Sequence, residues 1–265
     1  MTSRSSSIDN PPVNALSAEV RDGLYAALAG AIDDPQVGAI VYLCAGPTFV
    51  AGGDIGALGT RPGGAPTMEI NRLQEDSPKP IIAALHGSAL GGGLEITLAA
   101  HWRIAADDAR LGLPEVKLGI LPGAGGTQRL PRLVGLAAAL EMIVGGDPIT
   151  AERELALGLV DRLCEPARLR EAAIAMAREA VATAKPLRRA RDLAVTSDAN
   201  LLDRYLDGNS AARRGAKAPA ACIEAVRAAL TLPFDDGLRI EREILYDLIP
   251  GLQSRAMRHV FFAQR

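Results

Sequence analysis

The sequence predicts an α/β fold followed by a helical C-terminal region. Short apolar runs, typical of buried strands, alternate with helical patterns from the start of the chain to about residue 165. From Ala167 onward the helical pattern continues alone, with prolines between its segments. We therefore predict an α/β core over residues 1–185 and a helical region over residues 186–265.

The first predicted helix begins after Ser17, whose hydroxyl can accept a hydrogen bond from the backbone of the first turn. Pro35 lies just beyond the predicted end of this helix. Its apolar positions recur every four residues, as expected for one buried helix face. They are Val20, Leu24, Leu28 and Ile32. The apolar residues 39–44 then predict a buried strand.

A second unit repeats this order. Residues 81–85 predict a strand, and three glycines at positions 91–93 lead into a predicted helix over residues 94–100. The remaining predictions are strands at residues 102–106, 110–113 and 159–163, helices at 127–134 and 136–144, and C-terminal helices near residues 174–181, 222–230 and 237–248.

Composition and charge limit the possible functions. The chain has 265 residues, 48% of them hydrophobic, which is enough to bury a sizeable core. Its net charge of -2 gives no overall field that would attract nucleic acid. The three cysteines are far apart and have no CxxC spacing, which argues against a disulfide framework or a zinc site. We expect neither a bound metal nor a nucleic-acid partner.

The sequence also bears on location. Residues 1–10 are polar and serine-rich and lack the apolar segment of a signal peptide. No apolar run is long enough to span a bilayer as a helix. We therefore expect a soluble protein that is not exported, does not bind membranes and works in the cytoplasm.

The first segment that can carry chemistry is Ala51-Gly52-Gly53-Asp54-Ile55, placed shortly after a predicted strand. Adjacent glycines allow backbone N–H groups to approach a ligand closely. The alternative interpretation is an ordinary turn from strand to helix, with Asp54 as the helix cap.

The second segment spans residues 86–95 and ends in Gly91-Gly92-Gly93-Leu94-Glu95. Three glycines at a helix N-terminus offer unpaired N–H groups that favour developing negative charge. Alternatively, the glycines allow close packing and Glu95 only offsets the helix dipole. A site for ATP or NAD is excluded more clearly, since the GK[ST] motif and a complete dinucleotide fingerprint are both absent.

The third segment spans residues 113–130 and contains Glu115 before an apolar stretch. Apolar surroundings raise the pKa of a carboxyl group toward the range that is useful for proton transfer. The alternative role for Glu115 is that of a surface helix cap.

Together these segments resemble the signatures of the crotonase family, also called the enoyl-CoA hydratase/isomerase family, which read like AGADI, ALGGGxE and PExxLGxxPGAGGTQRL. The resemblance extends from Asn10 to about Glu165, and residues 10–17 are similar to the family's first substrate-contacting loop. It implies a crotonase-like spiral core of ββα turns. The strands that the family places before this loop are expected to be missing or much shortened here.

The resemblance implies a role for each matching residue. The backbone N–H groups of Gly53 and Gly92 would form an oxyanion hole for the thioester carbonyl. Glu95 would chiefly activate water, and Glu115 would chiefly deliver a proton. The implied reaction is the hydration of a 2-trans-enoyl-CoA to a 3-hydroxyacyl-CoA in fatty acid β-oxidation. An isomerase shifting a 3-enoyl to a 2-enoyl thioester, or another coenzyme A thioester reaction, is the alternative.

The family's contacts to coenzyme A are mostly backbone contacts, and coenzyme A enters as part of the substrate, so no separate cofactor is expected. Because Gly56 replaces the lysine or arginine of many relatives, Arg61 is a candidate for the phosphate contact. The matching substrate- and coenzyme-binding positions are Val13, Asn14, Ala15, Leu16, Ala51, Gly52, Asp54 and Ile55.

Residues 231–237 and 258–265 look like the stretch that joins the hydratase module to the dehydrogenase module in multifunctional β-oxidation enzymes. Family members with a single module form trimers or hexamers, so a homotrimer or hexamer is expected. A monomer is the alternative if this tail covers the surface through which subunits would otherwise associate.

Two further interpretations rest on other residues. A hydrolase would pair Ser88 with His86 or His101, but no GxSxG motif surrounds that serine. A non-enzymatic RNA-binding relative would use clusters of arginines, although solvated helix faces explain such clusters as well. These arginines are Arg188, Arg189, Arg191, Arg213 and Arg214.

Overall fold

The computed structural model describes residues 2–59, 63–195, 200–208 and 214–264, with the backbone alone for residues 2–6. Arg61 and Arg213, both named above, lie outside the described residues, as does Arg265 at the end of the segment 258–265. The three cysteines are all described and all free. Among the described helices, none has both the length and the hydropathy needed to cross a bilayer.

The described part of the chain contains two sheets. Their strands are β1 (Thr2–Ile8), β2 (Val37–Cys44), β3 (Ile81–Leu85), β4 (Ser88–Leu90), β5 (Trp102–Ala106), β6 (Arg110–Gly112), β7 (Ile149–Thr150) and β8 (Arg162–Cys164). The larger sheet has five parallel strands in the order β1-β2-β3-β5-β8, and the smaller one has three in the order β4-β6-β7.

Strand β1 bears on the prediction that the strands before Asn10 are missing or much shortened, since one strand of seven residues precedes that position. It runs parallel to β2 and pairs with it up to Ile8 and Cys44, at one edge of the larger sheet. Sheet pairing uses backbone groups that every residue except proline possesses, so a serine-rich segment can form an edge strand. The prediction rested on the small number of residues before the loop at Asn10. The polar residues of this segment could not reveal the strand, because an apolar pattern signals burial of side chains and not pairing of the backbone.

Eleven α-helices lie in the described residues. They are α1 (Ala18–Asp33), α2 (Thr67–Glu75), α3 (Gly92–Leu98), α4 (Gly126–Val134), α5 (Leu136–Leu140), α6 (Ala151–Ala156), α7 (Leu169–Ala182), α8 (Leu201–Gly208), α9 (Lys217–Thr231), α10 (Phe234–Leu248) and α11 (Leu252–Ala263). A 3-10 helix spans Pro114–Leu118, and a π-helical turn follows α5 at Glu141–Gly145.

Most of the predicted elements are confirmed. The Ser17 side chain accepts from the Val20 N–H and caps α1, whose buried residues include Leu24 and Leu28. Strands β3 and β5 have the predicted bounds. The strand predicted at residues 159–163 begins later, at Arg162, since Leu159 and Val160 are buried in the turn that precedes it.

The larger sheet is buried on both faces. One face packs against α7 through side chains such as Val41, Ile82 and Ile104. Intervening strand residues such as Ile40 and Ile81 belong to the larger core cluster on the other face. Successive side chains of a strand point to opposite faces, so the continuous apolar runs of β2 and β3 supply both layers.

The C-terminal helices pack onto the α/β part of the chain. Helices α9 and α10 contact each other and α4, and α11 contacts the 3-10 helix at Pro114–Leu118. These contacts bring residues distant in sequence next to the glycine-rich segments. The boundary between residues 185 and 186 stays a prediction.

Candidate active site

The three glycine-rich segments and helix α10 enclose one cavity of about 490 Å³. Both glutamates singled out from the sequence line it, as do the two glycines of the expected oxyanion hole. Its apolar wall includes Leu58, Leu118, Ile120, Leu121 and Leu245. The fold therefore brings Gly53, Gly92, Glu95 and Glu115 into one site, although they are spread over 63 positions, from 53 to 115 inclusive.

Glu95 lies in the first turn of α3 and is 3% exposed. Its Oε1 accepts hydrogen bonds from the backbone N–H groups of Ala124, at 2.7 Å, and Gly126, at 2.8 Å. Burial raises the pKa of Glu95 to about 6, while these two amides oppose the rise. Near neutral pH the side chain is therefore mostly ionised and can accept a proton.

Glu115 lies in the 3-10 helix at Pro114–Leu118 and is 9% exposed. Its Oε2 is buried and has no hydrogen-bond partner among the described residues. Burial raises the pKa of Glu115 well above its ordinary value, and the negative charges of Glu95 and Glu241 raise it further. The raised pKa favours the protonated form of the side chain, and that form can donate a proton.

The amides of Gly53 and Gly92 lie close together on the cavity wall. A methyl group placed on the Gly92 Cα would be 3.5 Å from the Gly53 nitrogen. Gly92 is the first residue of α3, where N–H groups have no partner within the helix. Within the described part of the chain, neither amide donates a hydrogen bond. Two unpaired donors side by side can bind one carbonyl oxygen.

The expected substrate-binding positions divide into two groups. Leu16, Ala51, Gly52, Asp54 and Ile55 line the cavity.

Val13, Asn14 and Ala15 are not among the residues that line the cavity, and they hold the loops that do. The Val13 carbonyl accepts from the Ala51 N–H, at 3.1 Å. The Asn14 side-chain amide donates to the carbonyls of Ala45, at 2.8 Å, and Thr48, at 2.9 Å. Their role as direct substrate contacts stays a prediction, and the structure gives them a supporting position.

Sequence reasoning missed the contribution of α10. Arg242, Leu245 and Tyr246 line the cavity, and Glu241 binds the loop behind it. A signal exists in the sequence, because Glu241 occupies the apolar face of this helix together with Gly237 and Leu248. A buried carboxyl group needs hydrogen-bond donors. The sequence alone does not show that the amides of Gly125 and Thr127 supply them.

The residues of the hydrolase interpretation have other partners. His101 is buried, and its Nδ1 accepts from the Ile81 N–H at 3.0 Å. The Nε2 of His86 lies 3.0 Å from the Gly46 carbonyl oxygen. Backbone groups thus occupy one ring nitrogen of each histidine, and no described contact joins either ring to Ser88.

Three of the arginines of the RNA-binding interpretation are paired with acids. Arg188 pairs with Asp161, Arg189 with Asp192 and Arg191 with Asp235. These pairs neutralise the cluster, which weakens the case for a phosphate-binding surface. The absence of a nucleic-acid partner stays a prediction.

A family model described as enoyl-CoA hydratase/isomerase matches residues 6–250. The chain belongs to this family, and the resemblance inferred from the three segments is confirmed. It is 43% identical to the peroxisomal bifunctional enzyme of Danio rerio and 39% identical to a peroxisomal fatty acid beta-oxidation multifunctional protein of Oryza sativa subsp. japonica. Each match covers 97% of this chain, but only 36% and 37% of those relatives.

Solved structures agree with this assignment. The enoyl-CoA hydratase of Bacillus anthracis is 28% identical, with a TM-score of 0.62 over 100% of this chain and 94% of that protein. An enoyl-CoA hydratase/isomerase of Pseudoalteromonas atlantica T6c is 23% identical, with a TM-score of 0.72 over 98% of this chain and 93% of that one, which bears on the fold alone. The predicted α/β fold with a crotonase-like core is confirmed.

The predicted cytoplasmic location is wrong. The names of relatives 38–43% identical to this chain place them in peroxisomes or glyoxysomes. The prediction rested on the lack of an apolar segment in residues 1–10, which carries no information about targeting signals of other types.

Proposed function

We propose that this chain catalyses the addition of water to a 2-trans-enoyl-CoA, giving a 3-hydroxyacyl-CoA in fatty acid β-oxidation. The observation that carries the proposal is the convergence of Glu95 and Glu115 on one cavity that also holds the amides of Gly53 and Gly92. The names of the solved relatives support the same reaction. The chain spans about a third of the length of its curated relatives, so this activity covers one part of what those proteins do.

The two carboxyl groups suit the two proton transfers of hydration. Ionised Glu95 accepts a proton from water as the water oxygen bonds to C3 of the substrate. Protonated Glu115 gives its proton to C2. The opposite charge states follow from the donors around each group, since two amides stabilise the charge on Glu95 and the buried Oε2 of Glu115 has no such partner among the described residues.

The oxyanion hole acts between these steps. As water adds to C3, negative charge moves to the thioester oxygen, and the N–H groups of Gly53 and Gly92 bind that oxygen. Such donors are already oriented before the reaction, so they stabilise the charge without reorganisation. Removal of one oxyanion donor costs on the order of 10²- to 10³-fold in rate in other enzymes.

Substrate binding involves groups at the cavity mouth. Arg21 also lines the cavity, but its guanidinium donates to the carbonyls of Leu16, Gly63 and Ala65. Arg242 is exposed at the cavity and has no ion pair among the described residues, so we propose that it binds the phosphates of coenzyme A. The coenzyme is a part of the substrate in this proposal, and no further cofactor or metal is needed.

A 3-enoyl to 2-enoyl shift remains a secondary activity of the proposal. Glu115 can carry a proton between C2 and C4, because its Oε2 is not engaged by a described residue. The state of assembly also stays a prediction, with a trimer or hexamer expected and a monomer as the alternative. Light scattering measures it directly.

The test is a reaction of the purified chain with crotonyl-CoA in water enriched in oxygen-18. We expect loss of the ultraviolet absorbance of the enoyl thioester, together with one heavy oxygen at C3 of the product. Parallel reactions with a 3-enoyl thioester measure the isomerase activity. If the chain consumed only the 3-enoyl substrate and incorporated no oxygen from water into either product, it would be an isomerase and not a hydratase.

A further inference from the structure

A third buried glutamate binds the loop that supports Glu95. Glu241 lies on α10 and is 1% exposed. Its Oε1 accepts from the Gly125 N–H at 2.7 Å, and its Oε2 accepts from the Thr127 N–H at 3.0 Å and from the Thr127 hydroxyl at 2.6 Å. A carboxyl group without solvent needs such donors, and this loop supplies three of them.

The two glutamates bind alternate amides of the same loop. Glu95 takes the N–H groups of residues 124 and 126, while Glu241 takes those of residues 125 and 127. Four successive amides are thus divided between a carboxyl group of α3 and a carboxyl group of α10. A rotation of the loop that improved one pair of hydrogen bonds would disturb the other.

Other side chains form hydrogen bonds to the Ala124 carbonyl and the Thr127 hydroxyl of the loop. The carbonyl of Ala124 accepts from the Asn71 side chain, at 2.8 Å, and from Arg129, at 3.2 Å. The Thr127 hydroxyl accepts from Gln128, at 2.9 Å, whose side chain also donates to the Ala225 carbonyl of α9. The loop is therefore connected to both C-terminal helices that pack on α4.

We propose that Glu241 is a positioning residue for Glu95. By binding the amides of Gly125 and Thr127, it holds the loop in the orientation in which the amides of Ala124 and Gly126 reach Glu95. Glu241 touches no substrate in this scheme and acts only through the loop. The expected effect of Glu241 on the reaction rate rests on the proposed function. Its expected effect on the loop does not.

The structural consequence is measured by hydrogen–deuterium exchange of the peptide that covers residues 122–130. We expect Glu241→Gln to speed exchange of the loop amides by about 10-fold or more, because a carboxamide replaces one of the two accepting oxygens with an NH2 group, which cannot accept a backbone N–H. Asp161→Asn is the control, since Asp161 also accepts a backbone N–H, from Arg103, and lies at the β5–β8 side of the sheet. Unchanged exchange in Glu241→Gln overturns the proposal.

The kinetic consequence is measured in a double-mutant cycle with Glu95→Gln. We expect Glu241→Gln to lower kcat about 10-fold with KM within about 3-fold, and to change kcat by less than about 2-fold when Glu95 is already glutamine. A general loss of structure would instead reduce both backgrounds by the same factor, and that result overturns the proposal.

If Glu241→Gln does not fold, Thr127→Val takes its place, since it removes the hydroxyl donor and leaves the carboxyl group. The same two readouts apply to it, with smaller effects in the same directions. If the wild-type chain does not hydrate an enoyl thioester, the proposed function fails. The exchange measurement still reports whether Glu241 holds the loop.

Discussion

Glu95 and Glu115 line the same cavity, yet their carboxyl groups meet different hydrogen-bond donors. The Oε1 of Glu95 accepts from two amides, and the Oε2 of Glu115 is buried without a described partner. The charges of Glu95 and Glu241 also raise the pKa of Glu115. These surroundings support the proposal that Glu95 accepts a proton and Glu115 gives one.

The pH dependence of kcat/KM follows from these two groups. The rate falls as the pH drops through about 6, because Glu95 becomes protonated and can no longer accept a proton from water. It falls again at higher pH as Glu115 loses its proton, since the pKa of Glu115 is raised above its ordinary value. Initial rates between about pH 5 and about pH 9 give this profile.

A rate that stays constant from neutral pH down to pH values near the ordinary pKa of a carboxyl group would contradict the assignment of Glu95. In the variant Glu115→Gln, the residual activity should still fall at low pH but no longer fall at high pH. This variant is therefore the control that shows which glutamate causes each fall in rate.

Position 91 needs a glycine for two reasons, its backbone conformation and the closeness of Glu115. Its φ is +53°, and a methyl group on its Cα would lie 2.6 Å from the Oε1 of Glu115. Gly91→Ala must therefore displace the carboxyl group of Glu115, and we expect kcat to fall about 10²-fold. Steady-state kinetics measure this loss.

Gly46→Ala is the matched control for this substitution. Gly46 also has a positive φ, of +75°, but a methyl group there has no atom within 4 Å. Both variants lose stability from the strained backbone, by about 1 kcal/mol, as thermal unfolding would show. Equal activity of the two variants would mean that the position of Glu115 is not critical.

At the scale of the element, helix α10 connects the C-terminal region to the site. It supplies Glu241 to the loop at residues 124–127 and Arg242, Leu245 and Tyr246 to the cavity. The periodicity of the sequence predicted a helix over residues 237–248, within the observed Phe234–Leu248. It did not predict which element the helix packs on, because that depends on contacts between residues far apart in the chain.

Arg242 provides a test of the contribution of α10 to binding. We expect Arg242→Ala to raise KM for an acyl-CoA substrate about 10-fold with little change in kcat, because a phosphate contact far from the reacting atoms stabilises substrate and transition state equally. Arg239→Ala is the control, since Arg239 lies on the same helix and pairs with Asp236 and Glu243. An unchanged KM in Arg242→Ala would place the phosphate contact elsewhere.

The short elements were predicted with different success for physical reasons. Strands β3 and β5 are buried on both faces, so their mainly apolar sequences showed where each strand begins and ends. Strand β1 lies at an edge of the sheet and is held by its backbone, and its polar residues gave no signal. Likewise, the helix predicted over residues 136–144 divides into α5 and a π-helical turn, a change that apolar spacing does not reveal.

At the scale of the whole molecule, the site depends on three distant parts of the chain. The segments around Gly53, Gly92 and Glu115 were recognisable because they resemble the signatures of the crotonase family, whereas the chemistry of each segment alone left a structural alternative open. Glu241 was not recognisable, because a single glutamate on a helix is ordinary until the fold shows which donors surround it. The resemblance thus pointed to the proposed reacting groups, and the packing of α10 showed which residues hold the loop behind Glu95.

The most direct test of the account is the rate of crotonyl-CoA hydration by the wild-type chain and by Glu95→Gln and Glu115→Gln. Each substitution keeps the size of the side chain and removes its ability to exchange a proton. We expect kcat to fall by roughly 10²-fold or more in each variant, with both proteins folded. A wild-type rate in either variant would contradict the role assigned to that glutamate and with it the two-carboxylate mechanism.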